Sequence, residues 1–135
     1  MLTGRLIEYD EASDDVRRIY DDIKQSRGVK DVNNFWKALA NHPPTLVRTW
    51  QSLKEVMAPG ALDAGTKEML YLAVSISNGC EYCIRSHARG AARQGMTAEM
   101  FAELAAVGGM ANETNRLVHA WQVPVDEAFE GPLPL

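Results

Sequence analysis

Apolar positions along this chain recur at intervals of three and four over most of its length, the period of helices with one face turned inward. Ser13 followed by Asp14 and Asp15 reads as an N-cap with acids in the first turn, where they complement the helix dipole. Val16, Ile19, Tyr20 and Ile23 follow at helical spacing, and Lys24, Arg27 and Gly28 supply a stop. Val32, Phe35, Trp36 and Leu39 suggest a short second helix, broken by Asn41-His42-Pro43-Pro44. Pro44 can open a third, because a first-turn residue needs no N–H partner. That helix carries Leu46, Val47, Trp50, Leu53 and Met57 on one face and ends at Ala58-Pro59-Gly60.

A fourth helix is expected from Asp63 as N-cap to about Asn78, with Gly79 as left-handed terminator. Its run from Met69 to Ile76 is apolar nearly all round, which predicts a central helix covered on several sides. A buried strand competes for so short a run. Helix is preferred, because Thr66-Lys67-Glu68 leads in without a turn signal and no other segment offers a sheet partner. The fifth helix runs from about Cys80 to Gln94 and stops at Gly95. Glu81, Arg85, Arg89 and Arg93 line one side of it, a solvated face or a surface for a neighbouring subunit; Cys80, Cys83, Ile84, His87, Ala88 and Ala91 lie on the other. Thr97 caps a sixth helix with Met100, Phe101, Leu104 and Ala105 inward, which Gly108-Gly109 is expected to end. A last helix from about Asn112 places Leu117, Val118 and Trp121 at core spacing. The expected fold is all-α, a single-domain helical bundle around a central antiparallel hairpin.

Composition narrows the function classes. A length of 135 residues suits one domain with its own core. Within it, residues 1–31 read as an N-terminal arm and helix, 32–122 as the core, and 123–135, rich in proline, as an extended tail. Eighteen acidic against 14 basic residues, a net charge of −4, argue against nucleic acid as a partner. No apolar run approaches the roughly 18 residues that cross a bilayer, so no membrane partner is expected. Met1-Leu2-Thr3-Gly4-Arg5-Leu6 lacks the basic-then-apolar build of a signal peptide, which points to the cytoplasm. Two cysteines are too few for a disulfide scaffold; three apart in Cys80-Glu81-Tyr82-Cys83, they are a redox or metal signal in that compartment.

Cys80, Cys83 and His87 stand at i, i+3 and i+7, one stripe of a helix, with Cys83 and His87 one turn apart. At the helix N-terminus, unpaired N–H groups stabilise a Cys80 thiolate. Glu68 joins by register. Asn78-Gly79 is a tight break, so the fourth and fifth helices should form a hairpin. Glu68 lies ~15 Å up the first and His87 ~10 Å up the second, at 1.5 Å per residue. Small residues at Ala88, Gly90, Ala91 and Ala92 would let the backbones approach. A carboxylate near an imidazole, itself beside a thiol, is the logic of an activated cysteine. Zinc is an alternative, with Cys80, Cys83 and His87 as three ligands and Glu68, His119 or His42 as a fourth, although the second pair of a structural site is missing. Covalent haem would need histidine directly after the second cysteine, where Ile84 stands. Otherwise His42 caps or packs near the proline pair, His119 faces solvent, and Trp36, Trp50 and Trp121 belong to the core.

Glu68, eleven intervening residues, and then Cys80-x-x-Cys83-x-x-x-His87 resemble the signature of the AhpD-like alkylhydroperoxidases, within the carboxymuconolactone decarboxylase superfamily. The resemblance extends over roughly Val32 to Trp121, including Leu39-Ala40-Asn41-His42-Pro43 and Ser77-Asn78-Gly79-Cys80-Glu81-Tyr82-Cys83. It implies an all-helical fold, reduction of hydroperoxides by the cysteine pair, regeneration by an external dithiol, and a homo-oligomer: a hexamer built from dimers first, a dimer or trimer otherwise. It implies that Cys83 is the peroxide-reactive thiol, Cys80 the resolving thiol, and Glu68 with His87 the proton relay, with no flavin, haem or metal cofactor. Tyr82 stands where the well-characterised members carry histidine, and its phenol can donate a hydrogen bond instead. The superfamily's decarboxylases generally lack the CxxC pair, which argues against that branch. Two other classes remain: a general thiol–disulfide oxidoreductase or redox sensor using the same pair, and a non-catalytic helical oligomer with a structural metal.

Overall fold

The computed structural model describes residues 4–133, so the first three residues of the expected N-terminal arm and the last two of the expected tail lie outside it. The regular structure of the described residues is helical throughout: α1 Asp14–Arg27, α2 Asn34–Leu39, α3 Pro43–Met57, α4 Ala64–Ser77, α5 Glu81–Arg93 and α6 Ala98–Ala120, with single 3-10 turns at Tyr9–Glu11 and Glu127–Phe129. The all-α expectation is borne out. Contacts divide the chain between Ala58 and Pro59 into two compact units.

In the N-terminal unit, α3 packs against α1 and α2. Ser13 Oγ accepts from the Val16 amide at the start of α1, and Gly28 closes it in the left-handed region at φ 63°. Val16, Tyr20, Ile23, Val32, Trp36, Leu46 and Trp50 form the core. Complete burial stabilises by about 1.5–3 kcal/mol for each large side chain. Trp36 and Trp50 meet edge to face with centroids 5.4 Å apart. The buried Lys37 ammonium bonds Asp31 at 2.8 Å and Glu8 at 2.7 Å, and these carboxylates, Asp31 first, hold its pKa above the ordinary lysine value.

In the C-terminal unit, α4 packs chiefly against α5 and also against α6. Asp63 caps α4, its Oδ1 accepting from the Thr66 amide at 2.8 Å. The hydrogen bond holds the Asp63 carboxyl below its usual pKa. Three expectations are corrected here. Gly108-Gly109 does not end a helix: α6 runs unbroken through both, neither has a positive φ, and Asn112 Nδ2 donates to Gly108 O inside the helix at 2.9 Å. Glycine terminates a helix by turning left-handed; in right-handed geometry it merely weakens one. Nor is α4 covered on several sides, since Leu72 and Ser75 are buried while Leu70 and Val74 are 52% and 59% exposed. Trp121, placed in the core by its spacing, caps the C-terminus of α6 and is 79% exposed.

Candidate active site

The site is built where α4 turns into α5. Asn78 stays right-handed, Gly79 takes φ 67°, and the Cys80 amide donates to Ser75 O at 3.0 Å, tying the start of α5 to the last turn of α4. Only glycine adopts that left-handed turn without a Cβ penalty. Cys80 is thereby the N-cap residue of α5, and its Sγ accepts from the Cys83 amide at 3.3 Å. Cys80 and Cys83 form a disulfide with their Cα atoms 5.3 Å apart. That separation is ordinary for a bridged pair.

One turn beyond Cys83, the His87 ring reaches across to α4. Its Nδ1 lies 2.7 Å from Glu68 Oε2, and the two side chains are only 15% and 24% exposed. With Glu68 ionised the bond requires the hydrogen on Nδ1, so Nε2 becomes the nitrogen that can accept a proton. The Tyr71 ring, one turn after Glu68, stacks on the imidazole with centroids 3.7 Å apart and planes 22° from parallel. Gly90 lies against the carboxylate: a Cβ there would come within 2.5 Å of Glu68 Oε2 and 2.6 Å of its Cδ.

Of the residues singled out in the sequence, Glu68, Cys80, Cys83 and His87 thus lie on one hairpin, with Glu68 and His87 bonded and the two cysteines bridged. Tyr82, between the cysteines, is half-exposed on the first turn of α5. His42 Nδ1 pairs with Thr45 Oγ1 at 2.8 Å, and His119 is exposed near the end of α6. Among the described residues no three His, Cys, Asp or Glu side chains are grouped to hold a metal ion. Arg85 bonds Glu81 at 2.7 Å on the exposed side of α5. Sequence reasoning missed Tyr71, whose signal was its i+3 spacing from Glu68, hidden inside an apolar run. Among the described residues no helix is long and apolar enough to cross a membrane.

Residues 44–126 match the model of the carboxymuconolactone decarboxylase family. The crystal structure of the alkylhydroperoxidase AhpD core from Rhodospirillum rubrum superposes with a TM-score of 0.85 at 47% identity, covering 96% of this chain and 97% of that one. An uncharacterised protein of the cox locus of Paracoccus denitrificans is 44% identical over 50 residues, 37% of this chain and 45% of that protein. An uncharacterised protein of Cupriavidus necator is 30% identical over 78 residues, 57% of this chain and 69% of its own length. The match to the Paracoccus protein therefore spans less than half of that relative.

Proposed function

The chain belongs to the carboxymuconolactone decarboxylase family, and from that premise we propose that it is a cytoplasmic thiol-dependent peroxidase of the alkylhydroperoxidase type. The observation that carries this reading is the bond between Glu68 and His87, one helical turn from a bridged Cys80–Cys83 pair. A disulfide alone serves any dithiol exchange; a carboxylate-oriented imidazole beside it supplies the proton transfers that cleaving an O–O bond requires.

The Cys83 thiolate attacks the distal oxygen of a hydroperoxide, breaking the O–O bond and taking that oxygen as a sulfenic acid. The leaving alkoxide or hydroxide takes a proton through His87 and departs as alcohol or water. Cys80 then displaces hydroxide from the sulfenic sulfur, releasing water and forming the disulfide. An external dithiol supplies two electrons and two protons, returning both thiols and leaving as its own disulfide. Ionised Glu68 stabilises His87 while it is positively charged.

Turnover of hydrogen peroxide and an organic hydroperoxide with a dithiol donor tests the reading. Cys83→Ser should abolish peroxide-dependent sulfenic acid, and Cys80→Ser should trap that acid at Cys83 as a dimedone adduct. Adducts on Cys80 in the Cys83→Ser protein would reverse the two roles. Disulfide exchange without peroxide consumption would leave a general oxidoreductase.

A further inference from the structure

A single in-plane hydrogen bond does not fix an imidazole. The ring can still swing about the Nδ1···Oε2 axis, or flip and offer a carbon edge to the acid. Two neighbours on this hairpin restrict those motions. The Tyr71 ring lies almost parallel to His87 at 3.7 Å between centroids, so it sets the plane of the imidazole. Glu68, at 2.7 Å from Nδ1, then sets which nitrogen carries the hydrogen.

Gly90 acts on the acid instead. Its φ is not among the positive ones, so no turn demands glycine there, and glycine inside a helix costs about 1 kcal/mol relative to alanine. A space requirement explains it: the hypothetical Cβ would meet both carboxylate oxygens, at 2.5 and 2.9 Å, where real contacts are never so close. Glu68 Oε2, the atom that the Cβ would approach most closely, is the one bonded to Nδ1, so the withdrawal forced on the carboxylate falls on that bond.

We propose that Tyr71 and Gly90 are positioning residues that hold His87 in one ring orientation and one tautomer, Nδ1–H toward Glu68, leaving Nε2 to accept and return protons. The assignment concerns the ring itself, while its effect on turnover rests on the peroxidase reading. The aromatic face, not the hydroxyl, does the positioning. Neither residue touches a reacting atom in this account, and each acts through the Glu68–His87 pair.

Side-chain nitrogen NMR of the oxidised full chain tests this directly, with the His87 signals assigned by their loss in His87→Gln. The native chain should show His87 as the Nδ1–H tautomer. Tyr71→Phe should keep it. Tyr71→Leu should give a mixture shifted toward Nε2–H, the form favoured in unconstrained histidine, and Gly90→Ala should match Glu68→Ala, which removes the acceptor, in losing the Nδ1–H form. Where the peroxidase reading holds, kcat should fall roughly ten- to a hundredfold in Tyr71→Leu and Gly90→Ala with KM for peroxide unchanged, and Tyr71→Phe should restore it. Circular dichroism checks folding. Should Tyr71→Leu fail to fold, Gly90→Ala decides, since alanine favours the helix. An unchanged Nδ1–H tautomer in folded Tyr71→Leu or in Gly90→Ala overturns the proposal. The expected tautomer pattern in a chain that consumes no peroxide upholds it and removes the peroxidase reading instead.

Discussion

At the scale of single residues, Glu68 shows what a sequence reveals and what it hides. Its register with His87 could be counted from helix rise and the Asn78-Gly79 break, and the two side chains meet at 2.7 Å. Tyr71 could not be found that way, because within an almost wholly apolar run no period separates a residue that packs from one that orients. Glu68→Gln keeps size and hydrogen bonding while removing charge, so the fold should survive. Peroxidase turnover should fall roughly 10²-fold, the low end for lost acid–base help. His87→Gln should act similarly, and the double mutant should be little worse than either single one, because members of one relay are non-additive. Full turnover in Glu68→Gln would make the acid a structural partner of the ring.

Elements were legible wherever local chemistry decides them. Ser13, Asp63 and Thr97 each cap a helix through a side-chain oxygen, and Gly28 and Gly79 each turn left-handed beyond one. Gly108-Gly109 was not legible, because the same dipeptide is a stop in one backbone conformation and a weak point in another, and only packing selects between them. A built Cβ meets nothing within 4 Å at either position. Replacing both by alanine should therefore stabilise the chain, by about 1–2 kcal/mol in denaturant melts; destabilisation would mean that α6 is broken there. The pairing of α1 with α3 carries a pH dependence. Asp22 accepts from Trp50 Nε1 at 2.6 Å and from Lys54 at 2.9 Å, and these partners, the indole first, hold its carboxyl below the usual range. A depressed pKa gives stability that is complete above the unfolded value, about 3.9, and is lost as pH falls through the folded one. The stability advantage over Asp22→Asn should hold above about pH 5 and shrink as pH falls below about 4, and an advantage that stays constant through that fall would remove the charge from the explanation.

For the whole molecule, periodicity tells which faces are apolar but not what covers them, and Trp121 was misread for that reason. Leu70 and Val74 on α4 and Val107, Met110 and Val118 on α6 are at least half exposed in the single chain. Apolar patches on that scale mark surfaces that something else buries. We expect the partner to be further copies of this chain, with a hexamer built from dimers as the expected assembly and a dimer or trimer as the smaller outcomes. Light scattering at micromolar concentration measures this, and a single-chain mass would overturn it.

The sulfur that begins α5 leaves a last consequence. Helix caps are ordinarily oxygens whose acceptor strength is fixed at a given pH; this one is Cys80 Sγ, holding the Cys83 amide at 3.3 Å while bridged to the same residue. In the bridged state it is neutral and a weak acceptor. A thiolate at the same place is anionic, accepts more strongly, and sits at the positive end of the helix dipole. Electrons delivered to the pair therefore change two restraints on one turn at once: they remove the covalent link between Cys80 and Cys83 and, where the freed Cys80 sulfur ionises, strengthen its hold on the Cys83 amide, so that the start of the helix exchanges a bond for a charge.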